Sequence, residues 1–353
     1  MTYTPGLTSI IVGCYNVASW LREKRLSCIR QQSYRQIELI LVDDGSTDDT
    51  PHLLHELSDV DSRIRIITKA NGGLGSARNA GLDVAQGEFI WFYDVDDEAD
   101  LCLVEKNVEW MVTHHTDLNI FGFMATTTAS GRSEAVSFPD KLIENNTQLR
   151  EIFLDTLFFV RYGNGFAWNK FYRREFLERH NIRFGHQRIQ QDELFNLQVY
   201  PHAERVYLSS KPLYHYFIYE QGNTRSRYIP DRYAVHLSIY EGILQFAQQW
   251  HLTDDRLRYH AVRRLYDGMM QSIRINTFHP DAPFSRHEQR EEIVRILQHP
   301  LSQKCINYKL HHRPKSLESR LYLQAFRHQS VLGIRLLRWC FGRLKKSKSI
   351  LRK

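Results

Sequence analysis

An α/β fold built on a mostly parallel, doubly wound sheet is predicted by three observations. Apolar runs are each followed by a helix-spaced segment, which gives three consecutive βα units. One of these runs, Ile37 to Val42, is apolar nearly throughout, as strands covered on both faces are. Two strands stop in acidic clusters and a third leads into a glycine-rich loop, so the chemistry-bearing residues collect at the carboxyl ends of the strands, where α/β sheets bind ligands.

Taken in order, Thr8 to Val12 reads as a buried strand that Gly13-Cys14-Tyr15-Asn16 breaks, and helical spacing then runs from Ser19 to Gln32. The second strand ends in Asp43-Asp44-Gly45-Ser46, with helix-start residues from Ser46 to Asp49. Arg63 to Thr68 leads into Asn71-Gly72-Gly73-Leu74-Gly75 and a helix from Ser76 to Ala85. The next strand, beginning at Glu88, delivers Asp94, Asp96 and Asp97 at its polar end. A helix near Val104 to His114 and a strand from Leu118 to Phe123 follow, so residues 1–123 read as one half of a catalytic domain and 124–225 as the other.

The chain has 353 residues, which suits one enlarged domain with an appendage, and its 42% hydrophobic content is enough for a core. Its five cysteines are odd in number, dispersed and without a Cys-x-x-Cys pair, which argues against a disulfide framework or a zinc ribbon and fits a reducing, cytoplasmic setting. No stretch reaches the apolar length of a membrane span, so a soluble or peripheral protein is expected. Eight of the 47 basic residues, and none of the 40 acidic ones, lie between Arg335 and Lys353, which leaves a body of 39 against 40. The basicity is therefore a property of the tail, and nucleic-acid binding is not expected.

A strand ending in carboxylates presents them to a cation, and Mg²⁺ or Mn²⁺ held by one or two carboxylates plus substrate phosphates suits Asp94 and Asp96. Asp44 is an acceptor for the N–H of a uracil-like base, and Arg78 a cation for phosphate. Helix capping competes for Asp43 and Asp44, and an ordinary surface charge for Arg78. The glycine loop is neither Gly-x-Gly-x-x-Gly nor a P-loop, which disfavours a dinucleotide site.

The stretches Ser9 to Asn16, Leu41 to Asp48, Asn71 to Gly81 and Asp94-Val95-Asp96-Asp97 resemble, in order and spacing, glycosyltransferase family 2 on the GT-A fold. Gly13 departs from the pattern, in which proline is common. The resemblance covers roughly residues 7–220. It implies inverting transfer of a sugar from a nucleotide donor, usually a UDP-sugar, with Tyr15, Asn16, Asp44, Gly75, Arg78 and Asp94 at the donor and Asp94-x-Asp96 as the metal motif. Within Gly163 to Tyr172, Trp168 and Lys170 match a Trp-Asn-Lys stretch bordering the acceptor, although a core role competes for Trp168 and Phe166. Inverting transfer needs a base on the face opposite the leaving nucleotide. Asp192 matches the family's base, Gln191 replaces its Glu partner, Glu193 is the substitute, and helix capping competes for Asp192. His215 and Arg225 are further acceptor-side or phosphate candidates.

Beyond Pro230 the pattern is helical: Tyr233 to Trp250, Leu257 to Ile275 and Arg286 to Leu297. The region 226–353 is expected as a helical extension ending in a basic amphipathic helix over 330–353. Its stripe Val331, Ile334, Leu337, Phe341 and Leu344, with Trp339 beside it, suits an anionic membrane surface. A packed or homodimerising helix competes. The enzyme is thus expected at the inner face of the plasma membrane, acting on a glycan or lipid-linked acceptor in bacterial surface polysaccharide synthesis. A sugar nucleotidyltransferase and a binding module without catalysis are the rival readings.

Overall fold

A computed structural model describes residues 3–160, 165–219, 227–311 and 316–350. The chain forms two compact units, 1–221 and 222–353. The first unit is organised by one sheet of ten strands: β1 (Thr4–Cys14), β2 (Ile37–Asp43), β3 (Ile64–Thr68), β4 (Gly87–Tyr93), β5 (Glu98–Ala99), β6 (Leu118–Thr127), β7 (Arg132–Val136), β8 (Lys141–Ile143), β9 (Lys170–Arg173) and β10 (Val206–Ile218). The spatial order is β3-β2-β1-β4-β9-β6-β10-β5, with β7 on β6 and β8 on β10.

β1 to β4 pair in parallel, as successive βα units demand. Cys14 lies opposite Asp43 and Val12 opposite Tyr93, so Asn16, Asp44 and Asp94 leave the sheet along one edge. Alternate residues of the apolar strands serve opposite faces. Ile10, Val12, Leu39 and Leu41 join a core with Leu21, Ile29 and Leu54, whereas Ile11 and Val42 meet Gly81 of the helix Leu74–Val84. A Cβ at Gly81 would stand 2.4 Å from Ile11 Cγ2. Gly81→Val is therefore expected to destabilise the unit by about 1–3 kcal/mol through overpacking, measurable by urea unfolding.

Three local features differ from the pattern read in the sequence. The helix expected over Ser19 to Gln32 is two short helices, Ala18–Arg22 and Ser27–Arg30, separated at Lys24, whose φ is 60°. The sequence reads Arg205 to Leu208 and Pro212 to Phe217 as two strands; they are one strand, β10, whose register slips around Pro212, a residue with no N–H for the ladder. β9, only four residues long and drawn from the aromatic segment, inserts antiparallel between β4 and β6. Four residues are too few to show a period.

The second unit is helical: Arg232–Gln249, Asp255–Gln271, Arg286–Gln298, Pro300–His311, Leu317–Arg327 and Val331–Ile350. Ser285 and Glu288 form a reciprocal capping box at the third of these. In the last helix Ile334 is fully buried and Phe341 approaches Tyr322 at 6.5 Å. Of the stripe expected to face lipid, Ile334 and Phe341 therefore pack inward. Among the described residues no helix is long and apolar enough to cross a membrane.

Candidate active site

Two loops at the sheet edge are built by side chains predicted to bind donor. Asn16 has a left-handed backbone (φ 53°), and its Oδ1 accepts from the backbone N–H of Thr47 at 2.8 Å, tying the turn after β1 to the turn after β2. Tyr15 beside it is half exposed and available to a ligand. Asp44 is buried; its carboxylate accepts from Lys69 Nζ at 2.7 Å and from the N–H groups of Gly72 and Gly73 at 3.0 and 2.7 Å. It shapes the glycine loop, and in this conformation its lone pairs are spent there rather than presented to a base. Asp43 accepts from Ser46 N–H at 3.0 Å, so neither carboxylate caps a helix through its side chain.

From the glycine loop the chain enters the helix Leu74–Val84 at a point of close backbone contact. A Cβ on Gly75 would lie 2.9 Å from the carbonyl oxygen of Gly185 and 3.1 Å from Phe184 Cβ. Asn79 pins the same segment by a paired exchange with the backbone of Phe184, both bonds 2.9 Å. These contacts bring the 184–192 region over Arg78.

Arg78 is fully buried, and its two terminal nitrogens bridge two carboxylates: Nη2 donates to Asp94 Oδ1 at 2.6 Å and Nη1 to Asp192 Oδ1 at 2.5 Å. The guanidinium lies 5.2 Å from the Phe184 ring centroid. Although burial opposes its charge, Asp192 and Asp94 hold its pKa above the ordinary value, so it stays a cation. Where a phosphate partner was expected for Arg78, the structure gives it two carboxylates that share its charge, and its bond to Asp192 spans 114 residues of sequence. Asp94 is pushed upward by burial and by Asp192, against the pull of Arg78.

Asp192 stands in the first turn of the helix Gln191–Val199, whose N-cap is Gln190, and it caps nothing; its Oδ2 accepts from the N–H of Ala167 at 3.0 Å. Gln191 is buried with Cγ 3.4 Å from a Cβ placed on Gly75, and its Oε1 has no hydrogen-bond partner among the described residues. Glu193 is half-buried beside Gly165.

The Gly165–Lys170 segment holds Asp192 through the Ala167 N–H. Trp168 is buried, stacked on Tyr214 at 4.3 Å and on Phe166 at 4.6 Å, so of the two readings, acceptor border and core, the structure gives the core. Lys170 is fully buried as well: its Nζ donates to the carbonyl of Phe166 and, at 2.9 Å, to Asn169 Oδ1. An acceptor contact is corrected to a clamp that fixes the backbone presenting Ala167 N–H. Burial pushes the Lys170 pKa down to about 7 from 10.5, with Asp192 pulling the other way. The folded chain therefore holds fewer protons than the unfolded one between those values, and the penalty of burying the amine, full below pH 7, is relieved as pH rises. Stability from this group is expected to increase from pH 7 to 9, and Lys170→Met is expected to flatten that increase in urea titrations at the two pH values.

The remaining aspartates have separate tasks. Asp97 does not start the next helix, whose N-cap is Cys102; it is buried and accepts from Tyr214 O–H at 2.8 Å and Phe217 N–H at 2.9 Å. Asp96 is half-buried, and among the described residues no side-chain donor meets its carboxylate. Burial, then the neighbouring Asp94, push its pKa to about 6. A carboxylate short of positive charge beside a second one fits a divalent cation, and no group of three or more ligating side chains occurs among the described residues. The fit is to a metal held by one or two carboxylates and completed by substrate oxygens, as is common for Mg²⁺.

His215 is not at this cluster; its Nε2 pairs with Asp100 Oδ1 at 2.8 Å, in the lining of a cleft of about 450 Å³ with Arg25, Glu98 and Cys28. Its expected place on the acceptor side or at the phosphates is corrected accordingly. Arg225 lies outside the described residues. Sequence reasoning missed Lys69, Asn79, Tyr214 and the Ala167 N–H; Asn79, inside the motif Ala77-Arg78-Asn79, had a readable signal, whereas a backbone N–H has none.

The glycosyl transferase family 2 model matches residues 9–196, more than half of the chain. The chain belongs to glycosyl transferase family 2. It is 32% identical to the Bacillus subtilis (strain 168) glycosyltransferase-family protein EpsH over 251 residues, 70% of each chain. TuaG of the same organism, named for teichuronic acid biosynthesis, is 33% identical over 124 residues, 35% of this chain and 49% of TuaG. The crystal structure of S. aureus TarS 1-349 in complex with UDP-GlcNAc superposes with a TM-score of 0.56, at 21% identity, over 96% of this chain and 92% of that one. The shared architecture is the GT-A fold. Within this family 2 glycosyltransferase, Arg78 links the Asp94 carboxylate after β4 to the Asp192 carboxylate, 98 residues further on.

Proposed function

We propose that this glycosyltransferase transfers a hexosyl or N-acetylhexosaminyl group, with inversion, from a UDP-sugar to a hydroxyl of a glycan or lipid-linked glycan in bacterial surface polysaccharide synthesis. The observation that carries the reading is the Arg78 bridge between Asp94 and Asp192. It places a carboxylate of the Asp-x-Asp cluster and a candidate base on either side of one fixed cation. The TarS complex with UDP-GlcNAc supports the donor class, and the name of TuaG supports the polysaccharide context.

In this reading Tyr15, Asn16 and the glycine loop shaped by Asp44 hold the nucleotide. Asp96, with Asp94 beside it, would hold Mn²⁺ or Mg²⁺, which supplies charge neutralisation of the departing diphosphate. Asp192 takes the acceptor hydroxyl proton as that oxygen bonds to the anomeric carbon and the bond to the diphosphate oxygen breaks. Arg78 and Ala167 N–H each occupy one lone pair of Asp192, fix its orientation and leave a lone pair on each oxygen for the proton. The acceptor is brought by a membrane at its cytoplasmic face, with the basic C-terminal helix as the contact.

The test is a panel of UDP-sugars incubated with the full chain, with Mn²⁺ or with EDTA, the products followed by NMR. Metal-dependent release of UDP and an anomeric configuration opposite to the donor's are expected. Release of the nucleotide undiminished by EDTA, or a retained configuration, would contradict the reading.

A further inference from the structure

We propose that the outward row Leu332, Leu336 and Trp339 of the C-terminal helix is the surface that inserts into an anionic phospholipid membrane. The stripe that the amphipathic pattern first selects is not available, because Ile334 is fully buried and Phe341 faces Tyr322. What remains outside is apolar too: Leu332, Leu336 and Trp339 are 71%, 55% and 57% exposed, at the i, i+4, i+7 spacing of one helix face. The helix Leu317–Arg327, packed against it, adds exposed Leu317 and Leu321. Five of the twelve large apolar side chains exposed among the described residues thus fall on two neighbouring helices, which is clustering rather than scatter.

Charge selects the occupant. From Arg335 to Lys353 the chain has eight basic residues and no acidic one. Arg335 and Arg338 donate to the backbone carbonyls of Arg286 and Phe278, neutral partners that dock the helix without cancelling its charge. Two copies of this face apposed would bring like charges together, whereas an anionic lipid surface complements them. Trp339 beside leucines suits the headgroup boundary, where indole sits with its ring in the apolar layer and its N–H in the wet one.

This deepens the proposed membrane placement, and its readout is independent of sugar transfer. The full chain is sedimented with vesicles of phosphatidylcholine alone or phosphatidylcholine with phosphatidylglycerol, beside the triple variant Leu332→Ser, Leu336→Ser, Trp339→Ser. Because the three side chains are on the surface, the variant is expected to unfold in urea as the parent does and to keep the parent's UDP-sugar hydrolysis. The parent should partition to the anionic vesicles and be released by salt, and the variant should lose about tenfold or more of that partition. Equal sedimentation of parent and variant, no preference for the anionic vesicles, or a concentration-dependent dimer that the variant abolishes without change in vesicle binding would overturn the proposal.

Discussion

Asp192→Asn is expected to lower sugar transfer by about 10²- to 10⁴-fold while the KM for the donor stays within a few-fold, the effect of removing a general base from an otherwise intact site. The substitution is isosteric, and an amide oxygen still accepts one of the two bonds that Arg78 and Ala167 N–H supply. Arg78 keeps Asp94 as a charged partner, so the fold is retained. The discriminating comparison is the adjacent Glu193→Gln, which is expected to leave most of the rate. A drop of similar size for Glu193→Gln with an active Asp192→Asn would move the base by one residue.

Arg78→Met is expected to be the most destabilising single change in the catalytic unit, by about 3–5 kcal/mol, because it strands two largely buried carboxylates without their cation. Arg78→Lys should recover only part of the loss, since one ammonium cannot bridge two carboxylates in the fixed geometry of a guanidinium. Urea unfolding of Arg78→Met, Asp192→Asn and the double variant checks the attribution. If the carboxylate pair is the source of the cost, the double variant is less destabilised than the two singles added together. Strict additivity would assign the loss to packing against Phe92 and Phe184 instead.

What was legible in the sequence follows a physical division. The parallel core could be read because strands covered on both faces are apolar nearly throughout, as β2 is from Leu39 to Val42 and β4 from Phe89 to Tyr93. Asp94, Asp96 and Arg78 were picked out by position and residue type and Asp192 by the family resemblance, and the structure brings Arg78, Asp94 and Asp192 together. What could not be read was the direction each side chain takes. Trp168 and Lys170 sit in a motif that borders the site, yet both are fully or nearly fully buried, because β9 enters the middle of the sheet and turns them into the core. Asp44 and His215 looked free, but each has a partner distant in sequence, the glycine loop for one and Asp100 for the other. The C-terminal helix has apolar residues on two faces, and only the packing against Leu317–Arg327 shows which one is already in use.

Gln191, the one position where a carboxylate of the motif is replaced, now has a physical setting. It is buried against Gly75, next to Asp192, which already shares Arg78 with Asp94. A third negative charge there would compete for a cation that is fully engaged, so a neutral amide is compatible with an active Asp192.

The most direct test of the central claim, that the Asp94–Asp96 cluster holds the donor while Asp192 serves the acceptor, is calorimetric binding of UDP with Mn²⁺ to the parent, Asp96→Asn and Asp192→Asn. The account predicts metal-dependent binding in the parent, its loss in Asp96→Asn and its retention in Asp192→Asn. Equal binding by the parent and Asp96→Asn, or loss only in Asp192→Asn, would contradict it.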